Sequence, residues 1–261
     1  FEFSIKDALT NINPLTGRHF LVDYYYHIST TGLTDAESTE YKSLTTRISR
    51  LAKAKDKDEA TSTRYERLLE RRADIIRNAD NKYGIFSSLI DKLIATNELQ
   101  DLIVFVSPQQ LDTVTQILDD KRVKYSRLTQ NEGTTIMGQY GNRTERQYII
   151  DLFTKKYFKV LVAIKCLDEG IDIPSACRGI LMASSTNPRE YVQRIGRIIR
   201  QAPGKPSAHV YDICIDSSHG LDEEEIDFDR KIREKEKRRM IEISENAINS
   251  TEALITITRL Y

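Results

Sequence analysis

The apolar positions change rhythm once along this chain, near residue 101. Before that point they recur every three or four residues. Tyr41, Leu44, Ile48 and Leu51 form one stripe, and Tyr65, Leu69, Ile76, Ala79, Tyr83, Phe86, Ile90 and Leu93 form a longer one. This is the spacing of helices that bury one face. Thr34-Asp35-Ala36-Glu37, ahead of the first stripe, is a capping-box sequence in which the Thr and Glu side chains each satisfy a free amide at the helix start. The polar run 52–63 between the stripes reads as an exposed loop, so residues 34–97 are expected to form a helical hairpin. Upstream, residues 4–9 carry a short helical pattern and Asn13-Pro14-Leu15-Thr16-Gly17 marks a turn. The aromatic and branched run 20–27 then reads as a strand. Its triplet Tyr24-Tyr25-Tyr26 is expected to pack in the core and at a sheet edge rather than to stack on bases.

From residue 101 onward, continuous apolar runs replace the stripes. Residues 102–106, Leu-Ile-Val-Phe-Val, suit a strand covered on both faces. Ser107-Pro108 then opens a helix carrying Leu111, Val114, Ile117 and Leu118. Further strands are predicted at 124–128, 158–164, 178–183 and 208–214, with helices at 143–156 and 188–200. Strands alternating with helices predict an α/β fold with a doubly wound parallel sheet. In such sheets ligands gather at the carboxyl ends of the strands, which is where Ser107, Thr129, Lys165 and Ser184 fall. Beyond Cys214, an acidic opening at 222–225 and a basic stretch at 230–239 precede Met240, Ile243, Ala247, Leu254, Ile257 and Tyr261. That rhythm predicts a long terminal helix docked on its own domain or on the hairpin. The expected organisation is therefore a leading segment with a strand at 1–33, a helical hairpin insertion at 34–97, the sheet core at 98–216 and a helical tail at 217–261.

Charge changes this picture little. Lys plus Arg and Asp plus Glu are equal at 39 each, so no global field advertises a polyanion and any basic surface must be local. On the second stripe, Arg64, Arg67, Arg71, Arg72 and Arg77 interleave with Glu66, Glu70 and Asp74. We read this as a solvated face, with phosphate contact the weaker reading. Three cysteines, Cys166, Cys177 and Cys214, are odd in number and lack ligand spacing, which points to reduced thiols and a cytoplasmic location. The four histidines offer no zinc set, and no apolar run approaches the roughly eighteen residues of a membrane span. Because the chain opens on Phe1 rather than Met, it is expected to be a fragment of something longer.

Two stretches carry chemistry. The first is 191–200, Tyr-Val-Gln-Arg-Ile-Gly-Arg-Ile-Ile-Arg. Helical spacing gathers Arg194, Arg197 and Arg200 on neighbouring positions, and interleaved Val192, Ile195, Ile198 and Ile199 make the element half buried. Guanidinium groups held that way want a carboxylate or a polyphosphate. The second is 165–174, directly after a predicted strand, where Gly170 admits close approach of a ligand and Asp172 offers a carboxylate. Alone this loop says little. Its value lies in being followed by Gln193-Arg194-x-Gly196-Arg197-x-x-Arg200.

That pair of stretches resembles motifs five and six of the superfamily 2 helicases and translocases. Residues 102–107 sit where that family's motif four strand would, and Arg143-Thr144-Glu145-Arg146 with 150–153 is similar to the helix preceding motif five. The likeness spans 102–214. More loosely, a strand followed by Gly32-Leu33-Thr34 and a helix with Tyr41 resembles the start of the second motor domain in Swi/Snf-type translocases and bacterial restriction-type helicases.

The resemblance implies a RecA-like core and the second motor domain of an ATP-dependent helicase or translocase. It makes Arg197 and Arg200 arginine fingers on the terminal phosphate, with Gln193 facing the nucleotide cleft and Arg194 organising it. Gly170 and Asp172 would meet the catalytic water region and the ribose. Ser107, Thr129 and Lys165 would contact the nucleic-acid backbone, DNA being favoured over RNA. Many members carry Thr where this chain has Ile164, so contact there would fall to Lys165 or to backbone amides. No Gly-x-x-x-x-Gly-Lys-Thr/Ser loop and no Asp-Glu-x-His strand occurs. ATP and Mg would thus be held mainly by a first RecA-like domain outside this sequence, and the fragment alone would be inactive. The alternative is a nonenzymatic nucleic-acid or protein-binding module keeping the fold. A nucleotide-sugar transferase shares the sheet but gives no reason for the paired arginines. On this topology Gly170 and Asp172 should lie at the end of the strand neighbouring the arginine helix. Arg197 and Arg200 should be solvent-facing, mobile or paired with local carboxylates.

Overall fold

The computed structural model describes residues 5–52, 58–129, 132–133, 135–164, 173, 175–183, 194–216, 221 and 223–261. The leading segment holds α1 (Ile5–Thr10), a small antiparallel hairpin of β1 (Ile12–Asn13) and β2 (Arg18–His19), and the long strand β3 (Asp23–Gly32). Helices α2 (Asp35–Ala52), α3 (Glu59–Asn78) and α4 (Asn81–Ala95) follow. Then come β4 (Leu102–Phe105), α5 (Leu111–Asp120), β5 (Tyr125–Leu128), α6 (Glu145–Thr154), β6 (Val160–Ala163), β7 (Arg178–Leu181) and β8 (Ser207–Asp216). The tail is α7 (Glu223–Glu245) and α8 (Ser250–Leu260).

Six strands form one sheet in the order β3-β8-β7-β4-β6-β5, and every pairing in it is parallel. The apolar run 102–106 explains why. Alternate side chains of a strand point to opposite faces, and both faces here are covered. Leu102 and Val104 join Phe86, Ile90 and Leu93 of α4 and Val114 and Leu118 of α5. Ile103 and Phe105 join Phe153 of α6, Ile195, Ile198 and Ile199 of the arginine stretch, and Ile243 of the tail. The RecA-like α/β architecture expected from the alternating runs is the architecture observed, with helices on both faces. The strand of the leading segment belongs to the same sheet, because β3 pairs along its whole length with β8.

The helical region differs from a simple hairpin. The capping box forms as the residues require: the Thr34 amide donates to Glu37 Oε2 at 2.9 Å and the Glu37 amide to Thr34 Oγ1 at 3.4 Å. The second stripe, however, breaks at Ala79-Asp80 into α3 and α4. The break lets α4 leave α2 and pack on the sheet, while the α3 side of the stripe packs on α2 through Leu44, Ile48 and Leu68. The loop expected at 52–63 is shorter than read, since α3 already begins at Glu59 with Asp58 Oδ1 accepting from the Thr61 amide at 2.7 Å.

The tail likewise breaks, at 246–249. There the Asn249 side chain turns onto the outer strand: Tyr26 N donates to Asn249 Oδ1 at 2.9 Å and Asn249 Nδ2 donates to Tyr26 O at 3.0 Å. Ile248 N adds a bond to Tyr24 O at 2.8 Å. An exposed strand edge leaves a row of unpaired peptide groups, and these bonds cover part of it. Tyr24 and Tyr26 are fully buried, with their hydroxyls donating to Ile243 O and Asp212 Oδ2, so the Tyr triplet serves packing. Among the described residues no helix is long and apolar enough to cross a membrane.

On the opposite side of β3 and β8, Tyr25, His27, His209 and Tyr211 stack. Ring centroids lie 4.8 Å apart for Tyr25–His209 and for His27–Tyr211, and His27 Nε2 lies 3.1 Å from His209 Nδ1. Burial, and then the neighbouring His209, lower the pKa of His27 to about 4. An unfolded histidine titrates near 6.5, so between the two values the unfolded chain binds the extra proton. The contribution of His27 to stability is therefore fully present above about pH 6.5 and is lost as pH falls through the folded value. Urea denaturation across pH 7 to 4 should show a steeper loss for wild type than for His27→Phe; parallel curves would contradict this.

Candidate functional site

The arginine stretch runs back over one face of the sheet, from Ala183 just past the carboxyl end of β7 to Leu21 just ahead of the amino end of β3, and its back is fixed by packing. Residues 194–198 are helical, and Ile195, Ile198 and Ile199 are fully buried. The contact is close because β7 presents Gly179: a Cβ there would stand 2.0 Å from Ile198 Cδ1 and 2.8 Å from its Cγ1. Only a bare backbone admits the helix at this distance. Arg194 holds the start of the segment. Its Nη1 donates to Ala183 O at 2.9 Å, just past β7, and its guanidinium lies 5.7 Å from the Phe105 ring centroid, within reach of a cation–π contact. Lys205 holds the end, donating through Nζ to Arg200 O at 2.9 Å and also to Ile198 O and Ala176 O. A lysine there satisfies carbonyls left open at a helix C-terminus and opposes its dipole.

With the back fixed, the remaining arginines face a cleft of about 980 Å³ lined by Gly196, Arg197 and Arg200 on this segment and by Arg18 and His19 of the β1–β2 hairpin, among others. Arg200 is exposed, in keeping with the expectation for it, but Arg197 is 9% exposed and so largely buried. Both being on one short segment explains the difference: Arg197 lies among the isoleucines that dock the helix, and Arg200 lies beyond the last of them. Nothing stands within 4 Å of where a Gly196 Cβ would be, so the cleft floor there is backbone.

Ser107 and Thr129 occupy the strand ends, as the topology required, but both are buried. Ser107 Oγ donates to Asn78 Oδ1 at 2.5 Å, and its amide donates to Gln110 Oε1 at 3.0 Å. The Thr129 amide donates to Glu132 Oε2 and its hydroxyl to Glu132 Oε1 at 3.1 Å, while Arg146 reaches Thr129 O at 3.4 Å. Gln193, Lys165, Gly170 and Asp172 lie outside the described residues, as does Ser184. The expectation that the strand leading to Gly170 neighbours the one leading to the arginine helix is corrected by the strand order: β4 sits between β6 and β7. The Leu-Ile-Val-Phe-Val run is the most continuously apolar strand sequence, and such a strand takes the centre.

Two buried polar groups behind the site escaped the sequence reading. Lys82 is 1% exposed, and its Nζ donates to Met182 O at 2.9 Å. Gln110 Nε2 donates to Arg77 O at 2.8 Å. They tie the α3–α4 break to the carboxyl end of β7, one residue from the carbonyl that Arg194 holds. Burial is the largest influence on Lys82 and lowers its pKa. The signal was present: Lys82 falls on the apolar face with Ala79, Tyr83 and Phe86, an unusual place for a lysine unless carbonyls receive it. Lys205, in the turn Pro203-Gly204-Lys205-Pro206 just after the arginines, carried the composition of a helix stop.

The parallel sheet with helices on both faces is a RecA-like architecture. Residues 84–202 match the helicase conserved C-terminal domain. Over 60 residues it is 37% identical to the DNA 3'-5' translocase XPB2 of Sulfurisphaera tokodaii, a match covering 23% of this chain and 14% of that protein's length. Among solved structures, the C-terminal part of the Fun30 ATPase domain shares the fold with a TM-score of 0.53 at 14% identity, covering 84% of this chain and 99% of that one. The C-terminal domain of the DEAD-box protein Dbp5 is more distant, with a TM-score of 0.42 at 16% identity over 82% and 85% of the two chains.

Proposed function

We propose that this chain is the second motor domain of an ATP-dependent nucleic-acid helicase or translocase, in which Arg197 and Arg200 act as arginine fingers on ATP. The observation that carries this reading is the presentation of the segment. Its back is locked by Gly179, Arg194 and Lys205, and Arg197 and Arg200 line one cleft. Positive charge fixed in advance suits the charge that develops on a transferring phosphoryl group.

The phosphate cradle and the Mg ligands would be supplied by a first motor domain, with Gln193, Gly170 and Asp172 completing the nucleotide side. Nucleic acid would lie against the strand ends. There Ser107 and Thr129 would act through the backbone of their loops, since their hydroxyls are bonded internally, and Lys165 would supply charge. Domain closure around ATP and reopening after hydrolysis would shift the grip on the strand. DNA is favoured over RNA, supported by the likeness to a relative described as a DNA translocase and by the loose resemblance to Swi/Snf-type and restriction-type motors.

The test is ATP hydrolysis by the full-length protein with single-stranded DNA, duplex DNA and RNA compared. Stimulation of about tenfold or more by DNA over RNA is expected, whereas equal turnover with and without any nucleic acid would favour a nonenzymatic binding module.

A further inference from the structure

The turn Asn13-Pro14-Leu15-Thr16-Gly17 has no part in the reading above, yet it carries the most exposed large apolar side chain among the described residues. Leu15 is 93% exposed, and Ile12 on β1 is 62% exposed. Both sit on an ordered hairpin. Ile12 pairs with His19 and Asn13 with Arg18, and the amides of Thr16 and Gly17 donate to Asn13 O at 3.2 and 2.9 Å. Leu15 N donates to Asn13 Oδ1 at 2.9 Å, and Gly17 takes φ +66°, a conformation suited to glycine. A leucine held out on such a turn has little backbone freedom left to lose, so most of the gain from covering it counts toward binding.

The base of the hairpin is fastened to the arginine segment. Leu21 bridges Arg200 in antiparallel fashion, Val22 N donates to Ile199 O at 2.8 Å, and Gln201 N donates to Phe20 O at 3.3 Å. Asn13 and Thr16, on either side of Pro14 and Leu15, line the same cleft as Arg197 and Arg200, so the apolar tip stands at the rim of that cleft. A body that reaches the two arginines through the cleft mouth therefore meets the tip as well. In the nucleotide reading that body is the first motor domain. Nucleic acid is a poorer occupant, because Pro14 and Leu15 offer no aromatic ring for bases to stack on. The hairpin also lies ahead of the amino end of β3, whereas Ser107 and Thr129 follow the carboxyl ends of β4 and β5.

We propose that the β1–β2 hairpin is a docking knob for the first motor domain, with Leu15 and Ile12 seating in an apolar recess of that domain when the two domains close on ATP. The proposal rests on the nucleotide reading of the arginine segment and adds a surface that reading did not use.

The experiment uses the full motor protein carrying Leu15→p-benzoylphenylalanine, a photoreactive replacement. The control is Ile94→p-benzoylphenylalanine on α4, an exposed position on a helix that packs on the other face of the sheet from the arginine segment. Illumination without nucleotide is compared with illumination in ADP, aluminium fluoride and Mg, and crosslinked peptides are identified by mass spectrometry. Position 15 should crosslink to apolar residues of the first motor domain, about tenfold or more strongly with the mimic, because a closed state that is a minor population beforehand becomes the main one. Position 94 should show no such rise. Leu15→Ser should lower ATP turnover about tenfold, the scale of one leucine buried on closure, with the melting temperature of this chain unchanged. Leu15→Met should keep most of the turnover, and Ile94→Ser should keep it all.

If position 15 gives no crosslink to the first motor domain while Arg200→Ala loses turnover, the proposal fails and the finger reading stands. If Leu15→Ser and Arg200→Ala both keep wild-type turnover, both fail. Crosslinks from position 15 to added DNA or to a second copy of the protein, in place of the first motor domain, overturn the proposal. So does a rise at position 94 equal to that at position 15.

Discussion

Replacing Arg200 by Ala in the full motor protein should lower ATP turnover about a thousandfold or more while leaving ATP affinity within about threefold of wild type. The asymmetry follows from where the group works. A finger interacts with charge that grows on the transferred phosphoryl group, so its removal is felt in the transition state more than in the bound ground state. Arg200 is the cleaner of the two positions because it is exposed and lies past the isoleucines that dock the segment. Arg197→Ala should lose as much turnover, but Arg197 is largely buried, so its removal also disturbs packing. Thermal melts of this chain separate the two effects: Arg200→Ala should melt with wild type, and Arg197→Ala below it. Steady-state kinetics checks the rest, and turnover near wild type in Arg200→Ala would remove the residue from the chemistry.

The second large effect is on stability. Asp229 on α7 is 4% exposed and accepts from Arg72 on α3 and from the Tyr41 hydroxyl on α2, with Arg233 3.9 Å away on its own helix. Arg72 is itself 3% exposed, donates through Nε to Thr45 Oγ1 at 2.9 Å, and lies 4.4 Å from the Tyr41 ring centroid. One carboxylate therefore joins the helical insertion to the tail. Removing one partner of such a pair leaves the other charge buried and uncompensated, which costs about 3–5 kcal/mol. Asp229→Ala should show that loss in urea denaturation of this chain. The double variant Arg72→Met with Asp229→Leu should recover most of it, because apolar replacements of similar volume can match a buried ion pair. A loss below about 1 kcal/mol for Asp229→Ala would mean water reaches the site. Nearby, burial pushes the Glu236 carboxyl up but Arg233 and Arg239 outweigh it and hold the group at about 2, so Glu236 stays charged at neutral pH.

What the sequence disclosed follows from which forces are local. The sheet was legible because runs such as 102–106 must be covered on both faces, and the capping box at Thr34 and Glu37 formed because it needs no distant partner. Helix breaks were not legible. At 79–80 and 246–249 the same apolar rhythm continues on both sides, and what stops the helix is docking elsewhere: α4 on the sheet, and Asn249 on the edge of β3. The basic face of α3 was half right. Arg64 and Arg67 are exposed, and Arg71 pairs with Glu40 at 2.5 Å. The partner of Arg72 sits 157 residues away, beyond the reach of spacing arguments. The arginine segment announced its chemistry through composition, and its isoleucines announced its burial. Its supports, Gly179, Lys205 and the β7 carbonyls, depend on strand order, which sequence pattern leaves open.

The central claim is that the segment ending at Arg200 completes a nucleotide site in the transition state. The most direct measurement is the affinity of the full motor protein for ADP with aluminium fluoride and Mg, set beside its affinity for a non-hydrolysable ATP analogue, in wild type and Arg200→Ala. The claim predicts that the variant binds the ATP analogue as wild type does and loses about a hundredfold or more in affinity for the transition-state mimic. Equal affinity of both proteins for the mimic would contradict it.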